Sequence, residues 1–507
     1  QRNRLERAPS GWPTATIMDR CTDTLFFSKN SHLLSVVFIA LLTVPVSGAT
    51  VASSELQRLV DLAVERNPRI RAAREQVNAA WADRIELRGF YDPILSAAGE
   101  KEYGYLGADG HLEAGLDVAV KPGAYLGAGV EERYLTDGDP VGEDHLFRTE
   151  LSASLRVPLW RDRGFLQWRL QDAERKALVA AAVSHLADLI QRVRYAVERR
   201  YIQVQETRSA WNVARAATER LEKLLGEAEE LVRLEVVPEY QLFPARLEVA
   251  LARSAELQAR RTYEESLVRL SEEIGDLDVR DFEVGRELLV EWAKNVALPE
   301  PRPLADVLER RGDYNRLEAV QRATELRLRR ERDDLKPDLY LEAEGFWRGE
   351  NAEHAVGYHR ETAEQYTAAQ IAVVFARPIG FRAERARIYG HKARLAELEQ
   401  QLRQLRLTIH ADLKVARQDF RRAQQRLELI DQAVEDARKT LEAEEERFRL
   451  GESRSRHVLD AQKDLTQTIQ QLTRVAALLL RARTDLLFAA GYNGFARAYT
   501  EPLTEGR

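Results

Sequence analysis

The residues most able to do chemistry in this 507-residue chain are nine histidines and a single cysteine. His354 and His359 lie five positions apart in a polar segment. That spacing would permit a two-histidine metal site, but we favour an ordinary polar loop. The other histidines are scattered, and the sequence contains no HExxH, P-loop, GxSxG or Rossmann motif. We therefore predict a protein that is not an enzyme and that has no metal site and no cofactor.

The cysteine, Cys21, falls in a segment with the features of a secretory signal peptide. The segment begins at Met18, the only methionine, and contains an apolar run, Leu33 to Val46, that is too short to span a membrane as a helix. Small residues suited to signal peptidase follow this run. The mature chain is then expected to start near Thr50 without a cysteine, which excludes disulfides and thiol catalysis.

Composition argues against a nucleic-acid partner. The chain has 76 basic and 82 acidic residues, whereas nucleic-acid binding needs a large basic excess. We interpret these balanced charges as the solvated faces of helices.

The elements that must position any site are predicted from two periodicities. Apolar and polar residues alternate from Leu112 to Val120 and from Phe147 to Val157, which predicts strands with one apolar face. A shorter strand block follows Pro337. The first block is longer by about residues 110–134, an inserted hairpin turning at Lys121-Pro122-Gly123, and the sequence leaves open whether this hairpin joins the sheet.

A long helix is predicted after each strand block. Between Leu398 and Leu441 the apolar or small positions recur about every 3.6 residues, so neighbouring helices should run nearly straight side by side. The helix from about Trp168 to Glu235 would be on the order of 100 Å long at about 1.5 Å per residue. Each long helix is followed by a short break and a second helix.

This order of elements occurs twice, which we interpret as an internal duplication. The break after the second long helix begins Arg447-Phe448-Arg449-Leu450-Gly451, and the corresponding break reads Leu231-Val232-Arg233-Leu234-Glu235. The predicted segments are a non-native start (1–17), the signal peptide (18–49), a first repeat (50–298, strands 94–157, helical hairpin 168–275), a second repeat (299–490, strands 338–377, helical hairpin 383–490) and a tail (491–507).

The whole mature chain resembles the TolC family of outer membrane efflux proteins. The resemblance rests on Asn67-Pro68 in the opening helices, on the strand-to-helix turns Val157-Pro158-Leu159-Trp160 and Arg377-Pro378-Ile379, and on the second break with Val458-Leu459-Asp460-Ala461-Gln462. It implies a mixed α and β membrane protein. In this fold class three copies share one outer-membrane β-barrel, with about four strands per protomer and possibly the extra hairpin, continuous with a long periplasmic α-helical barrel of coiled-coil hairpins.

The resemblance also implies a site. Family members narrow their periplasmic mouth with acidic residues one turn apart, and the matching positions here are His457 and Asp460. Three copies of each would make a cation-attracting ring, and each carboxylate would favour the protonated imidazole beside it. The alternative is that Asp460 merely favours a helix N-terminus and His457 is an ordinary surface residue.

Two departures from the family pattern concern the closed mouth and the tips. In the family, the closed mouth is normally held by a contact between an aromatic hydroxyl and a basic residue. Here Phe448 lacks the hydroxyl and Ser453 replaces the basic residue, which leaves Arg454 or Arg456 as substitutes. The tips are expected to dock a periplasmic adaptor. The docking residues are Leu234, Glu235, Val236, Val237 and Pro238 in the first tip, and Leu450, Gly451 and Glu452 in the second.

The sequence thus predicts a passive export channel in the outer membrane of a Gram-negative bacterium. It would be a homotrimer that contacts outer-membrane lipid and works with an inner-membrane pump and a periplasmic adaptor, in a tripartite efflux or type I secretion system. The alternative function is a periplasmic coiled-coil adaptor or scaffold without a pore.

Overall fold

The computed structural model of the chain describes residues 54–104, 107–136, 145–234, 238–275, 289–351, 364–377, 379–449 and 455–491. These residues belong to one contact unit, Ser53–Arg507. The predicted signal peptide and the pair His354 and His359 lie outside the described residues.

Nine α-helices are present in the described residues. They are α1 (Ser54–Arg66), α2 (Pro68–Glu86), α3 (Leu166–Arg233), α4 (Leu242–Ile274), α5 (Leu289–Lys294), α6 (Leu304–Arg310), α7 (Gly312–Asp333), α8 (Arg382–Arg449) and α9 (Ser455–Ala489). Short 3₁₀ segments cover Leu87–Tyr91 and Glu239–Gln241. The two longest helices, α3 and α8, have 68 residues each.

The long helices form because each has an apolar stripe that neighbouring helices cover. In α8, Leu398, Ile409 and Phe420 are almost fully buried, and every predicted stripe position through Leu441 is at least half-buried. Helix α9 packs between α8 and α3, while α4 packs on the other side of α3. The helices α4, α3, α9 and α8 therefore lie in a row, in that order, with α4 and α8 at its ends.

Two hydrogen-bonded junctions join the start of one helix to the end of another. Asn67 caps α2 by accepting a hydrogen bond from the backbone N–H of Arg69 (2.9 Å), and its amide donates to the carbonyl of Glu273 at the end of α4 (2.8 Å). Arg311 stands directly before α7, as Asn67 stands directly before α2. Its guanidinium donates to the carbonyl of Phe488 near the end of α9 (3.5 Å). The first junction therefore satisfies a carbonyl that the end of α4 leaves without an intrahelical partner. The second adds a donor to the Phe488 carbonyl, which also accepts from the Gly491 N–H (3.1 Å).

The strands form one antiparallel sheet of six, with neighbours in chain order. They are β1 (Ile94–Gly104), β2 (Gly107–Val120), β3 (Ala124–Thr136), β4 (His145–Pro158), β5 (Asp338–Asn351) and β6 (Glu364–Ala376). The resemblance implies four strands per chain. The sheet has six because the inserted hairpin, β2 and β3, pairs between β1 and β4.

Register separates the residues of the sheet into two faces. On the apolar face Leu95 opposes Leu116 and Leu341 opposes Val373. Its large exposed members are Leu95, Leu112, Leu116, Leu126, Val130, Leu151, Ile371, Val373 and Phe375. The charged members of the polar face include Glu113, Glu131, Glu150, Arg156, Glu342, Glu344 and Arg348. A sheet with this pattern offers apolar side chains to one environment and charged side chains to another.

The inserted hairpin is fixed at its base to the connection between β4 and α3. Gly123, in the β2–β3 turn, lies so close to Gly164 that an added Cβ would fall 2.4 Å from the Gly164 Cα. Tyr125, at the start of β3, packs its ring 5.0 Å from the ring of Phe165. The aromatic cluster continues through Phe90, Tyr91 and Trp168, and the Trp168 indole donates to the carbonyl of Leu87 (2.8 Å).

Candidate functional site

The first turns of α9 hold both titratable residues of the predicted aperture on an exposed side. His457 and Asp460 are exposed and lie one helical turn apart. Val458 and Ala461 are buried in the cluster that α9 shares with α8. This packing fixes the rotation of the helix, so the imidazole and the carboxylate both remain at the surface.

The aperture residues begin a longer polar stripe. Exposed polar residues continue along the same side of α9 at steps of three or four: Asp464, Gln467, Gln471 and Arg474. Residues at this spacing share one side of a helix. The side of α9 that faces no described neighbour is therefore hydrophilic for about five turns at 3.6 residues per turn.

The remaining aperture residues are only partly described. Phe448 is half-buried and packs against the cluster shared by α8 and α9, whereas Arg456 is exposed. Ser453 and Arg454 lie outside the described residues. Phe448 therefore contributes packing at the end of α8, and Arg456 is the accessible cation beside His457.

At the first tip, Leu234 and Pro238 are exposed, while Glu235, Val236 and Val237 lie outside the described residues, as do Leu450, Gly451 and Glu452 of the second tip. Sequence reasoning missed two neighbours. Tyr240 and Phe243 expose 65% and 60% of their surface. Their signal in the sequence is two aromatics within the five residues that follow Pro238, next to the start of α4.

Charged side chains on the polar face of the sheet pair across strands. Arg156 contacts Glu342 (2.5 Å) and Arg348 contacts Glu150 (2.6 Å), both between β4 and β5. On the inserted hairpin, the Glu131 carboxylate lies 3.2 Å from His111 and also binds Arg133. Pairs of oppositely charged side chains therefore cover this face from the inserted hairpin to β5.

A second polar group, which sequence reasoning also missed, joins α3 to α9. Tyr195 donates to Asp485 (2.8 Å), and Arg199 forms an ion pair with the same carboxylate (3.0 Å). The next contact along these two helices joins Arg481 of α9 to Glu206 of α3. These partners are more than 270 residues apart in sequence, so no local pattern marks them.

Glu198 lies beside this group and is the most perturbed carboxyl of the helices. Burial raises its pKa to about 7, against the opposing influence of the Arg483 and Arg194 charges. Burial also lowers the pKa of both arginines. The helix contact therefore contains a carboxyl that titrates near neutral pH.

Two kinds of feature are absent from the described residues. They contain no cluster of histidine, cysteine and carboxylate side chains able to hold a metal ion. In the same part of the chain, no helix is long and apolar enough to cross a membrane. An extended apolar surface lies on one face of the sheet, and polar surfaces lie on the other sheet face and along the α9 stripe.

A six-stranded sheet with one apolar face, continued by two helices of 68 residues that each pack against a shorter helix, is typical of outer-membrane channel proteins with a helical extension. Residues 304–492 match the family model described as outer membrane efflux protein. This part of the chain is therefore similar to that family, and the predicted resemblance to the TolC family is confirmed. No curated protein sequence matches the chain.

Solved structures share the fold over nearly the whole length. The open-state MtrE outer membrane channel of Neisseria gonorrhoeae is 16% identical, with 86% of this chain and 89% of that chain covered and a TM-score of 0.64. The CmeC outer membrane channel of Campylobacter jejuni is 15% identical (88% and 87% covered, TM-score 0.64). The outer membrane protein VceC of Vibrio cholerae is 15% identical (86% and 96% covered, TM-score 0.62). At these identities the similarity is one of fold.

Proposed function

We propose that the protein is a passive export channel of the outer membrane in a Gram-negative bacterium. It receives substrates from an inner-membrane pump through a periplasmic adaptor and releases them outside the cell. The main support is the sheet, because its apolar face suits lipid and its charged face suits a water-filled passage. A coiled-coil scaffold without a pore has no use for such a sheet, and the family match favours the channel.

The dimensions of the apolar face agree with this proposal. A strand tilted by about 40° rises about 2.5 Å per residue and needs about ten residues to cross 25 Å, and β2 and β4 have 14 residues each. Outer-membrane barrels have an apolar band about 25 Å tall. Lipid also requires every backbone polar group to be bonded, which a sheet achieves only when it is closed.

A homotrimer would close both the sheet and the helices. The end helices of the row each expose an apolar stripe, with Phe243, Leu247 and Leu251 on α4. Leu407, Val415 and Leu429 form the stripe on α8. Because an exposed stripe on a long helix requires a neighbour, α4 of one copy is expected to pack on α8 of the next. The internal duplication would then give six helical hairpins of similar length around one periplasmic tube.

The α9 stripe is proposed to line the passage, with the aperture at its start. Three copies of His457 and Asp460 would surround the mouth and attract cations, while Phe448, Ser453, Arg454 and Arg456 would contact the neighbouring copy in the closed state. The exposed Leu234 and Pro238, together with the other tip residues, would meet the adaptor.

Purified protein in detergent and in planar bilayers tests the channel against the scaffold. We expect trimers that survive heating in detergent and stepwise increases of conductance when they insert into a bilayer. A scaffold gives neither result. Trimers without conductance, or monomers that remain soluble without detergent, would refute the channel.

A further inference from the structure

The sheet contains more strands than the resemblance implies, and the additional pair is an integral part of it. β2 pairs with β1 over the full length of β1, from Ile94 opposite Asp117 to Gly104 opposite Gly107. β3 pairs with β4 from Tyr125 opposite Arg156 to Thr136 opposite His145. The hairpin therefore separates β1 from β4 rather than lying against one face of a four-stranded sheet.

The base of the hairpin is held in place by contacts on two sides. The Gly123 and Gly164 backbones touch so closely that neither position has room for a side chain without movement. Tyr125 joins the aromatic cluster of Phe90 and Phe165 beside α3. The hairpin is thus attached to the connection that leads from the sheet into α3.

Both edge strands have long uncharged stretches at the end of the sheet that leads into the helices. β1 has no charged residue from Ile94 to Gly99, before Glu100, Lys101 and Glu102, and β6 has none from Thr367 to Ala376, after Glu364. Within the described residues each has a hydrogen-bonded neighbour on one side only. Long apolar edges without charges or prolines pair with other strands, and these two lie at the same end of the sheet.

The chain directions of the edges are complementary. Every described neighbour pair is antiparallel, so β1 and β6 run in opposite directions. The β6 edge of one copy can therefore continue the antiparallel order with β1 of the next copy. The apolar faces remain on one side, since Leu95 and Ile371 both belong to the apolar face.

We propose that copies of this chain join β6 to β1 in a ring, so that the trimer has a wall of about 18 strands instead of about 12. This inference rests on the trimer of the proposed function. With strands spaced about 4.8 Å and tilted about 40°, the backbone diameter is about 36 Å, against about 24 Å for 12 strands. The helical tube is unchanged by the insertion. The membrane wall is therefore about 12 Å wider than a wall of 12 strands would be.

Strand counting tests the inference directly. A cryo-electron microscopy map of the wild-type trimer in detergent is expected to contain 18 strands. A trimer with 12 strands, with the hairpin outside the wall, would overturn the inference and leave the export channel intact. Failure to form trimers would overturn the proposed function itself.

Engineered cysteines give an independent test in native membranes, using a Cys21→Ser background. Ala98 opposes Glu113 across β1 and β2, so the pair Ala98→Cys and Glu113→Cys is expected to cross-link within one chain. Ala98→Cys with Ser152→Cys or Ser154→Cys is the matched control, because β2 and β3 keep β1 about 14 Å from β4. A disulfide does not span that distance. Cross-linking of the β1–β4 pairs in place of the β1–β2 pair would overturn the inference.

Discussion

The two helical hairpins share one layout but differ in what they bury. In the second hairpin, α9 lies between α8 and α3, and Ala476, Leu479 and Leu480 are almost fully buried. In the first hairpin, α4 contacts α3 on one side and exposes Phe243 and Leu251 on another. The second hairpin therefore supplies the core of one chain, and the first leaves an apolar surface that another copy would cover in the proposed trimer. The following experiments test that difference.

The largest effect is expected from the interior of the second hairpin. Leu480→Ala leaves a cavity between helices and should cost about 2–5 kcal/mol in the free energy of unfolding. Leu478→Ala is the matched control, since Leu478 is 48% exposed on the same helix. Thermal unfolding followed by circular dichroism measures both. Equal losses of stability would contradict a deeply packed α9.

The next effect concerns the exposed stripe of the first hairpin. Leu251→Asp places a charge where α8 of the next copy is expected, and the trimer fraction should fall about tenfold or more, which corresponds to about 1.4 kcal/mol. Helix content should stay unchanged because the side chain is exposed within one chain. Detergent gel filtration provides the measurement, with Leu478→Asp as control. Intact Leu251→Asp trimers would place the contact between copies elsewhere.

A smaller effect is expected at the α3–α9 contact, where both hairpins meet. The pKa of Glu198 is raised by burial from 4.5 to about 7. Its ionisation therefore lowers stability progressively between about pH 4.5 and about pH 7, and the loss is complete above that range. Glu198→Gln should raise the melting temperature more at pH 8 than at pH 5. Glu219→Gln, in an exposed pair with Arg215, should show no such difference between the two pH values, and the same behaviour in Glu198→Gln would contradict burial of the carboxyl.

The smallest effect concerns the tip of the second hairpin. His457→Asp makes the aperture fully acidic, so cation conductance should rise and its change between pH 5 and 8 should shrink. Single-channel recording measures both quantities, with Lys463→Gln, an exposed change further along α9, as control. An unaltered pH response would show that His457 is an ordinary surface residue.

Local patterns in the sequence were sufficient to predict the helices and strands but not which elements pack beside them. The apolar positions from Leu398 to Leu441 are the buried side of α8, and the alternation from Leu112 to Val120 is β2. Both depend on the period of one element. Whether the inserted hairpin entered the sheet depended on contacts with β1, β4 and the Gly164 backbone, which no local period encodes.

The candidate site was predictable to a similar degree. The exposure of His457 and Asp460 follows from the periodicity of α9, but their distance from the equivalent residues of other copies depends on assembly. The Arg199–Asp485 pair was missed because its partners come from distant parts of the chain. Tyr240 and Phe243 were missed because aromatics near a turn normally pack inward.

The open edges of the sheet also determine when assembly must occur. A single chain inserted into lipid would leave one row of backbone N–H and C=O groups on β1 and another on β6 without partners, at several kcal/mol for each group. In the proposed trimer, copies would therefore meet before or during entry into the membrane. Biogenesis would then be a concerted event that depends on subunit concentration, and a lone chain at the membrane would need a chaperone to cover its edges.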